Sequence, residues 1–470
     1  MNDTATEDVP GSTTERTQVT RDIARFLCAL RFEAIPPSAV EGAKRFMLDT
    51  LAVAWAGSNA PGCAPARDLL APANNGAGEC TLWGTTNRAS AESAAFINGL
   101  AAAALDFDSL QRDSPSHVNV SVLPAALAMA ERRHASGKTF LTALVGGCDL
   151  MCRLGAASEA LGQRHRGWFY TSVHGVLAAA VASAKILDLD EEKMLHALGL
   201  AYSQAGGTQQ VVIEPGLGKR LGSGFAARGG VFAAMLAAQG LSGPKASLEG
   251  TYGLFRMYQD VDTARLLRNL GREFENANLS IKKFPTCGCN HTTIEAALWM
   301  TATQDLNPED VTDIEVEISE FMDRIVGRPF EPGDDPQVAA QFNIRYSIAC
   351  ALTRRRFGLA EIDNATIDDP GIRALTQKVK VIVDPNKKGK RGPAVLRVRS
   401  RRHGVLERQV DHVPGSEQSP LSMAEIEAKS RACFALGTHP LDAARTQRLI
   451  DRVADLENIA DITMLFEGIA

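Results

Sequence analysis

Residues 94–130 read AAFINGLAAAALDFDSLQRDSPSHVNVSVLPAALAMA, and the character of the chain changes twice within this stretch. Alanine-rich apolar runs occupy residues 94–104 and 121–130, and the polar segment 105–117 separates them. The pattern predicts two buried helices with a loop held between them. Similar runs of alanine, leucine and glycine recur through the first half of the chain, so a mainly helical protein is expected.

Asp106, Asp108 and His117 all lie in this predicted loop. Charged side chains that are surrounded by apolar residues lose their hydration. They are therefore found there when they are paired with another group or when their shifted pKa serves a function. One interpretation is structural, with the aspartates capping the next helix and His117 held by hydrogen bonds. The other is catalytic, with the three groups moving protons. The residues alone leave both interpretations open.

Length and charge limit the classes of protein to which the chain can belong. It has 470 residues, more than one hydrophobic core usually supports, so two domains are expected. The net charge is −5 and the basic residues are dispersed, which argues against a nucleic-acid partner. The longest apolar runs are about a dozen residues, short of the roughly 20 that cross a membrane, so no membrane partner is expected.

The N-terminal residues and the cysteines indicate the cellular compartment of the protein. Residues 1–16 are polar and lack an apolar core, so they resemble a disordered tail rather than a signal peptide. Nine cysteines are spread along the chain without a dense framework, which predicts free thiols in a reducing compartment. We therefore expect a cytoplasmic protein.

Helical patterns dominate the chain from Thr20 to about Asp260. Ser38 and Glu41 have the spacing of a capping box, which predicts the start of a helix that ends near Gly57. Residues 59–80 are rich in proline, glycine, alanine and asparagine and predict a loop. Further helices are predicted at 91–104, 121–136, 138–155, 174–187, 190–205, 225–240 and 291–303.

The pattern changes after residue 305, where charged and apolar residues begin to alternate as they do in half-buried strands. Strands are predicted at 313–318, 379–383, 395–399 and 405–410. The last two bracket a turn at His403-Gly404 and indicate a hairpin. We therefore predict a mainly α protein, with a large all-helical domain over 17–280 and 424–470 and a smaller α/β lid domain over 281–423.

The segment 281–291, IKKFPTCGCNH, lies at the predicted domain boundary, where ligand sites are common. Cys287, Cys289 and His291 suggest metal ligands, but the sequence has no second matching pair and a closed zinc site needs four ligands. We therefore predict no metal. The lysines favour an anion-binding site that includes Lys282, and the alternative is a solvated lysine pair.

Two other segments place polar groups just before predicted helices. The glycine-rich segment 216–227 contains Lys219, which could hold a carboxylate together with helix amide groups, or the segment could be a surface loop. Segment 167–175 contains Tyr170 and His174. A histidine such as His174, taken alone, is more often a packed residue than a catalyst.

Arginines occur in three places that could matter. Arg328 follows the first predicted strand, where it could fork onto a carboxylate or lie on the surface. The clusters 354–356 and 387–391 are interpreted as solvated faces. None of these segments identifies a ligand by itself.

Taken together and in order, several motifs make the chain resemble the MmgE/PrpD superfamily of 2-methylcitrate dehydratases, cis-aconitate decarboxylases and iminodisuccinate epimerases. The resemblance runs from about Ile35 to Leu465. It implies an all-helical domain with a smaller α/β lid, a homodimer, and no metal or organic cofactor. The motifs are LDTLA at 48–52, AFING at 95–99, LDFD at 105–108 leading to His117, KR at 219–220, KKFP at 282–285 and GRPF at 327–330.

The resemblance also implies roles for individual residues. The catalytic aspartate and loop histidine of the family match Asp106 and His117, and its two substrate-facing lysines match Lys219 and Lys282. His291 matches a histidine that recurs after the lysine segment. Other residues expected to contact substrate are Tyr170, His174, Cys287 and Arg328.

Three positions depart from the family pattern. Phe169 stands where many members have histidine, Ile325 stands where the decarboxylases have tyrosine, and Ser109 replaces the last aspartate of D-F-D-D. These changes weaken the case for decarboxylation of cis-aconitate. Cys287 stands at a position where the epimerases also have cysteine, which keeps an isomerase possible.

The expected activity is therefore that of a cofactor-independent lyase, first a hydro-lyase of the 2-methylcitrate dehydratase type, on a small di- or tricarboxylic acid. Lys219 and Lys282 would bind substrate carboxylates while Asp106 and His117 shared proton transfer beside a carboxylate. The alternatives are an epimerase on a related dicarboxylate, a decarboxylase of the cis-aconitate type, and a catalytically silent carboxylate sensor.

Overall fold

A computed structural model describes residues 18–70, 78–162, 166–214 and 216–469. The predicted tail at 1–16 lies outside these residues. The helices of the described chain are α1 (Val19–Ala29), α2 (Pro37–Gly57), α3 (Cys63–Leu70), α4 (Ala91–Ala104), α5 (Asn119–Arg133), α6 (Gly137–Ala160), α7 (Tyr170–Ile186), α8 (Glu191–Tyr202), α9 (Gln210–Ile213), α10 (Gly218–Ala238), α11 (Leu254–Met257), α12 (Thr263–Leu267), α13 (His291–Thr303), α14 (Glu320–Val326), α15 (Pro336–Gln341), α16 (Ile344–Arg354), α17 (Asn364–Ile367), α18 (Pro370–Thr376), α19 (Met423–Phe434) and α20 (Ala443–Ala454).

The strands are β1 (Cys80–Thr81), β2 (Arg88–Ala89), β3 (Val311–Ile318), β4 (Val379–Val383), β5 (Ala394–Ser400) and β6 (Gly404–Val410). The last four form one mixed sheet in the order β4-β3-β5-β6, with β3 and β4 parallel and the other neighbours antiparallel. The predicted fold class, mainly helical with a smaller α/β part, is confirmed, and β5 and β6 form the predicted hairpin. One feature not predicted is the short β1-β2 pair in the helical region.

Small residues let the central helices approach closely. A side chain at Gly99 of α4 would lie 3.1 Å from the Cα of Gly224 in α10. A side chain at Gly230 of α10 would lie 2.4 Å from the Cβ of Ala179 in α7. The alanine and glycine runs therefore allow α10 to pack tightly between α4 and α7, which places the start of α10 beside the loop that follows α4.

The C-terminal helices return to the helical region and pack on α2. The ring of Trp55 in α2 meets the ring of Phe434 in α19 edge-on, with centroids 5.8 Å apart. The indole nitrogen of Trp55 also donates to the carbonyl oxygen of His439 at 2.7 Å. Because both aromatic residues are buried, this contact fixes the position of α19 on α2.

Some predicted boundaries are wrong. Helix α2 begins at Pro37 after the cap residue Pro36, so Ser38 lies inside the helix and the predicted capping box does not form, because proline suits the first helical position. Helix α3 lies within the predicted loop at 59–80. Helix α10 begins at Gly218 and not at the predicted residue 225. Its close packing on α4 outweighs the cost of roughly 1 kcal/mol that each glycine adds to helix formation.

Within the described ranges, two helices, α6 and α10, are long and apolar enough to span a membrane by length and composition. All of the apolar window of α6 and 56% of that of α10 is buried inside the protein. Core helices have the same composition as membrane helices, so the complete burial of α6 explains its apolar character without a membrane.

Candidate active site

Asp106 sits two residues after the end of α4 in a left-handed backbone conformation, with φ of 48°. L-residues seldom adopt this conformation, although aspartate tolerates it better than most. The ammonium group of Lys282 donates to both the carbonyl oxygen of Asp106, at 2.6 Å, and its Oδ2, at 2.8 Å. Lys282 therefore holds the backbone and the side chain of Asp106 together.

A second lysine completes this cluster. Lys219, in the first turn of α10, donates to Oδ1 of Asp106 and lies over the ring of Phe342, 4.9 Å from its centroid. The side chains of Lys219, Lys282 and Asp106 are 14%, 2% and 4% exposed. Three charged groups are thus withdrawn from water at one point, with each carboxylate oxygen of Asp106 facing one ammonium group.

These charges settle the ionisation of Asp106. Burial alone would raise the pKa of the Asp106 carboxyl, but the charges of Lys219 and Lys282 outweigh burial and hold that pKa far below its usual range. The same pairing raises the pKa of Lys219 despite burial. Asp106 is therefore a permanent carboxylate at neutral pH, and it cannot donate a proton.

Asp108 and His117, from the same loop, form a separate pair. Nδ1 of His117 lies 2.7 Å from Oδ2 of Asp108, and the backbone N–H of His117 donates to Oγ1 of Thr171 in α7. Burial lowers the pKa of His117, and the nearby Lys219 adds to this, so the net pKa lies below its usual value although Asp108 opposes the shift. Since an ionised Asp108 can only accept, Nδ1 carries the proton and Nε2 is free to take one.

Asp106 with its two lysines, and His117 from the second pair, border a small cavity of about 90 Å³. Its wall combines charged, polar and apolar side chains, and most of them come from loops and helix ends. The residues that line it are Asp106, Leu110, Pro115, His117, Phe169, Tyr170, Gln209, Val212, Lys219, Lys282, Cys287, Gly288, Cys289, Phe321, Ile325, Phe342 and Arg391.

Of the residues predicted to contact substrate, Tyr170 and Cys287 line this cavity. Burial raises the pKa of the Tyr170 hydroxyl, so this group is neutral. A hydrogen bond from Cys289 lowers the pKa of the Cys287 thiol despite its burial, which brings a thiolate within reach near neutral pH. Both groups are placed to meet a bound molecule.

The other three residues predicted to contact substrate, His174, His291 and Arg328, do not line the cavity. His174 is buried in α7 and stacks on Tyr170 with ring centroids 4.6 Å apart. His291 is buried at the start of α13, and burial lowers its pKa to about 3, so it is neutral. Arg328 is exposed and donates to the carbonyl oxygen of Ile213 at 2.5 Å. These residues support the site rather than line it.

One charged residue of the cavity wall was missed by sequence analysis. Arg391 belongs to the cluster 387–391 that was interpreted as a solvated face, and this interpretation is wrong for Arg391. Its guanidinium group donates to the carbonyl oxygens of Gln111 at 3.0 Å and Ser114 at 3.2 Å, because the loop before β5 folds over the loop of Asp106. A charge cluster alone does not indicate such a long-range contact.

A second missed feature is the ion pair of Lys429 with Asp49, which joins α19 to α2. Lys429 Nζ lies 2.6 Å from Oδ1 of Asp49, and the two side chains are 7% and 0% exposed. Lys429 also donates to the carbonyl oxygens of Phe107 at 2.8 Å and Lys282 at 2.9 Å. The pair thus ties together the two chain segments that supply Asp106 and Lys282.

By distance alone, Asp106, Asp108 and His117 could hold a metal ion, since one ligand atom from each lies within 4.8 Å of the others. The charges argue against such an ion. Both oxygens of Asp106 face ammonium groups, which would repel a cation. The arrangement suits an anion beside the lysines, with a neutral imidazole in reach.

A buried anion site with an adjacent base is the chemistry of an enzyme that moves protons next to a carboxylate. The chain matches the model of the MmgE/PrpD N-terminal domain over residues 21–266 and the model of the MmgE/PrpD C-terminal domain over residues 284–456. It belongs to the MmgE/PrpD family, as the resemblance predicted.

Several relatives align over almost the whole chain. The cis-aconitate decarboxylase-like protein oryM of Aspergillus oryzae is 29% identical, with 95% of this chain and 96% of that one aligned. The cis-aconitate decarboxylases of Aspergillus terreus and Homo sapiens are each 26% identical, with 96% of this chain and 95% of the relative aligned.

Proposed function

We propose that this protein is a cofactor-independent lyase that removes water from a small hydroxy-substituted carboxylic acid. The observation that carries the proposal is the neutral His117, held by Asp108 at 2.7 Å and placed on the same cavity as Lys219 and Lys282. A lowered pKa keeps this imidazole in the form that accepts a proton at neutral pH.

In the proposed reaction, the substrate carboxylate lies beside Lys219 and Lys282. Nε2 of His117 takes the proton from the carbon next to that carboxylate, and the two ammonium groups stabilise the negative charge that develops on its oxygens. The C–H electron pair then forms the double bond as the C–O bond breaks. The imidazolium of His117 returns its proton to the leaving hydroxide, so one water is released and the base is restored.

Asp106 has a positioning role in this scheme. Its permanent charge raises the pKa of Lys219 and pairs with the amino groups of both lysines, and its low pKa excludes it as the acid. The expectation that Asp106 and His117 share proton transfer is therefore replaced by a proposal in which His117 alone moves the proton. The expected absence of a cofactor stays a prediction.

Decarboxylation is the second candidate, because the relatives from Aspergillus terreus and Homo sapiens carry the name cis-aconitate decarboxylase. In that reaction a C–C bond breaks, carbon dioxide leaves, and an imidazolium protonates the carbon that keeps the electron pair. The lowered pKa of His117 disfavours a resting imidazolium, so we place dehydration first.

Proton NMR of the purified protein in deuterium oxide tests these proposals, with citrate, 2-methylcitrate, cis-aconitate, iminodisuccinate and tartrate as substrates. A new vinyl signal from a hydroxy acid would support dehydration, and loss of carbon dioxide would replace it with decarboxylation. Deuterium exchange with no other change would support the epimerase alternative. His117→Gln should abolish the change, whereas His134→Gln, a matched control at a 70% exposed side chain, should keep it.

We also propose a cytoplasmic homodimer, with a second copy covering α10. Phe225 and Phe232 of this helix are 58% and 46% exposed and border a groove of about 1010 Å³. Apolar patches of this kind are typical of interfaces. Light scattering should give a dimer mass that falls toward the monomer in Phe225→Glu/Phe232→Glu, but not in the control Tyr252→Glu.

A further inference from the structure

We infer that the preferred substrate carries at most two carboxylates and an alkyl arm, and that an apolar wall receives this arm. The apolar wall consists of Phe169, Val212, Phe321, Ile325 and Phe342, all of which line the cavity of Lys219 and Lys282. This inference rests on the proposed function and extends it to the class of acid.

The apolar wall is assembled from separate parts of the chain. Phe169 precedes α7, Val212 lies in α9, and Phe342 follows α15. Phe321 and Ile325 lie one turn apart on α14, so both point from the same face of that helix. These large apolar side chains offer a carboxylate no hydrogen bond, and burying an unpaired carboxylate against them is strongly unfavourable.

The net charge of the cavity also limits the number of carboxylates on the substrate. The charged groups at and beside the cavity are Lys219, Lys282 and Arg391 against Asp106 and Asp108, which leaves at most one net positive charge while His117 is neutral. A tricarboxylate would bring three negative charges to that single excess charge. An acid with one or two carboxylates can place its charge at the lysines and direct the remainder of the molecule to the apolar wall.

Neighbouring cations are already engaged. Lys283 pairs with Glu295 at 3.0 Å, and Lys390 pairs with Glu159. Arg220, which follows Lys219 in α10, donates to the carbonyl oxygen of Pro61 at 2.9 Å. A third substrate carboxylate would therefore have to break an existing ion pair or hydrogen bond to gain a partner.

The test uses two matched pairs of acids, each differing by a methyl group in place of a carboxymethyl group: citramalate against citrate, and citraconate against cis-aconitate. Calorimetry measures binding, and proton NMR in deuterium oxide measures turnover. We expect the methyl acid of each pair to bind at least tenfold more tightly than its carboxymethyl counterpart. Equal binding, or tighter binding of the carboxymethyl acids, would overturn the inference.

A charge placed in the apolar wall should remove this preference. In Ile325→Lys, binding of the carboxymethyl acids relative to the methyl acids should increase at least tenfold. The matched control is Ile382→Lys, at a 40% exposed position in β4, and it should keep the original preference. Because the wild-type comparison already decides the question, a variant that fails to fold leaves the test intact.

The same experiment separates failure of the inference from failure of the proposed function. If the methyl acids bind preferentially but show no loss of water and no proton exchange, the substrate class holds and the proposed lyase fails. If a carboxymethyl acid is the one converted, the lyase holds and the substrate class fails. If neither pair binds, both fail.

Discussion

Two buried aspartates, Asp49 and Asp106, are both paired with lysine, yet their carboxyl groups differ in acidity. Asp49 faces one ammonium group, that of Lys429, and burial raises its pKa above the usual value despite that charge. Asp106 faces the two ammonium groups of Lys219 and Lys282, and its pKa falls far below the usual value. Both carboxyl groups are buried, so the second ammonium group at Asp106 accounts for its lower pKa.

The comparison also separates two functions. The Asp106 cluster borders the cavity, whereas Asp49 and Lys429 are not among its lining residues, and Lys429 donates to the backbone carbonyl groups of Phe107 and Lys282. We therefore assign substrate binding to the first cluster and positioning of the chain to the second. Variants that change the number of cations test this assignment.

The largest effect is expected for Lys282→Met, which leaves Asp106 with a single cation and so makes it resemble Asp49. Turnover should fall about 10³-fold, because the site loses both a carboxylate-binding charge and the group that holds Asp106 in its left-handed conformation. Steady-state kinetics on the acid identified by NMR measures this. Lys283→Met, which breaks only the half-exposed pair with Glu295, should retain near wild-type turnover; similar losses in both variants would contradict the assignment.

A smaller effect is expected for Asp108→Asn, which keeps both cations at Asp106 but removes the carboxylate that orients His117. Turnover should fall about 10²-fold while KM changes little, since the base is misoriented and the lysines still bind substrate. Asp113→Asn, at a 42% exposed side chain in the same loop, is the control. An unchanged kcat in Asp108→Asn would show that the pair with His117 is structural.

Lys429→Met should act mainly on stability. It leaves Asp49 buried without its cation and removes donors from the carbonyl oxygens of Phe107 and Lys282, so the free energy of unfolding should fall by about 3 kcal/mol. Turnover should fall only about tenfold, because the catalytic groups remain but shift. Urea denaturation and kinetics measure the two effects, with Lys245→Met, an exposed ion-pair variant, as the control. A loss of turnover as large as that of Lys282→Met would remove the distinction between the clusters.

The smallest effect is a shift in pH dependence. His117 must be neutral to accept a proton, so kcat/KM should rise as pH increases through the His117 pKa, at a pH below the usual value of about 6.5. In Asp108→Asn this rise in kcat/KM should occur at lower pH, because the Asp108 carboxylate, which raises the pKa of His117, is gone. In Lys429→Met it should stay in place. A rise in kcat/KM centred above pH 6.5 in the wild-type protein would contradict a neutral His117.

Much of the candidate site could be predicted from residue patterns. Asp106 and His117 were singled out because charged residues next to apolar runs need partners, and the family resemblance supplied the roles of Lys219 and Lys282. The structure brings the four together at one cavity. Arg391 and the pair of Asp49 with Lys429 were missed. Their sequence surroundings resemble an ordinary charged surface and an ordinary helix.

The sequence by itself determined the mainly helical class, four strands with one hairpin, and the family. Local periodicity and short motifs carry that information, since they depend on residues that are close along the chain. Only the tertiary structure decided which polar groups face one another: that Lys219 and Lys282 share Asp106, that Asp108 orients His117, and that Phe169 and Ile325 belong to one apolar wall. These pairings depend on helix packing through small residues and on α19 returning to α2, which bring together groups that no local pattern connects.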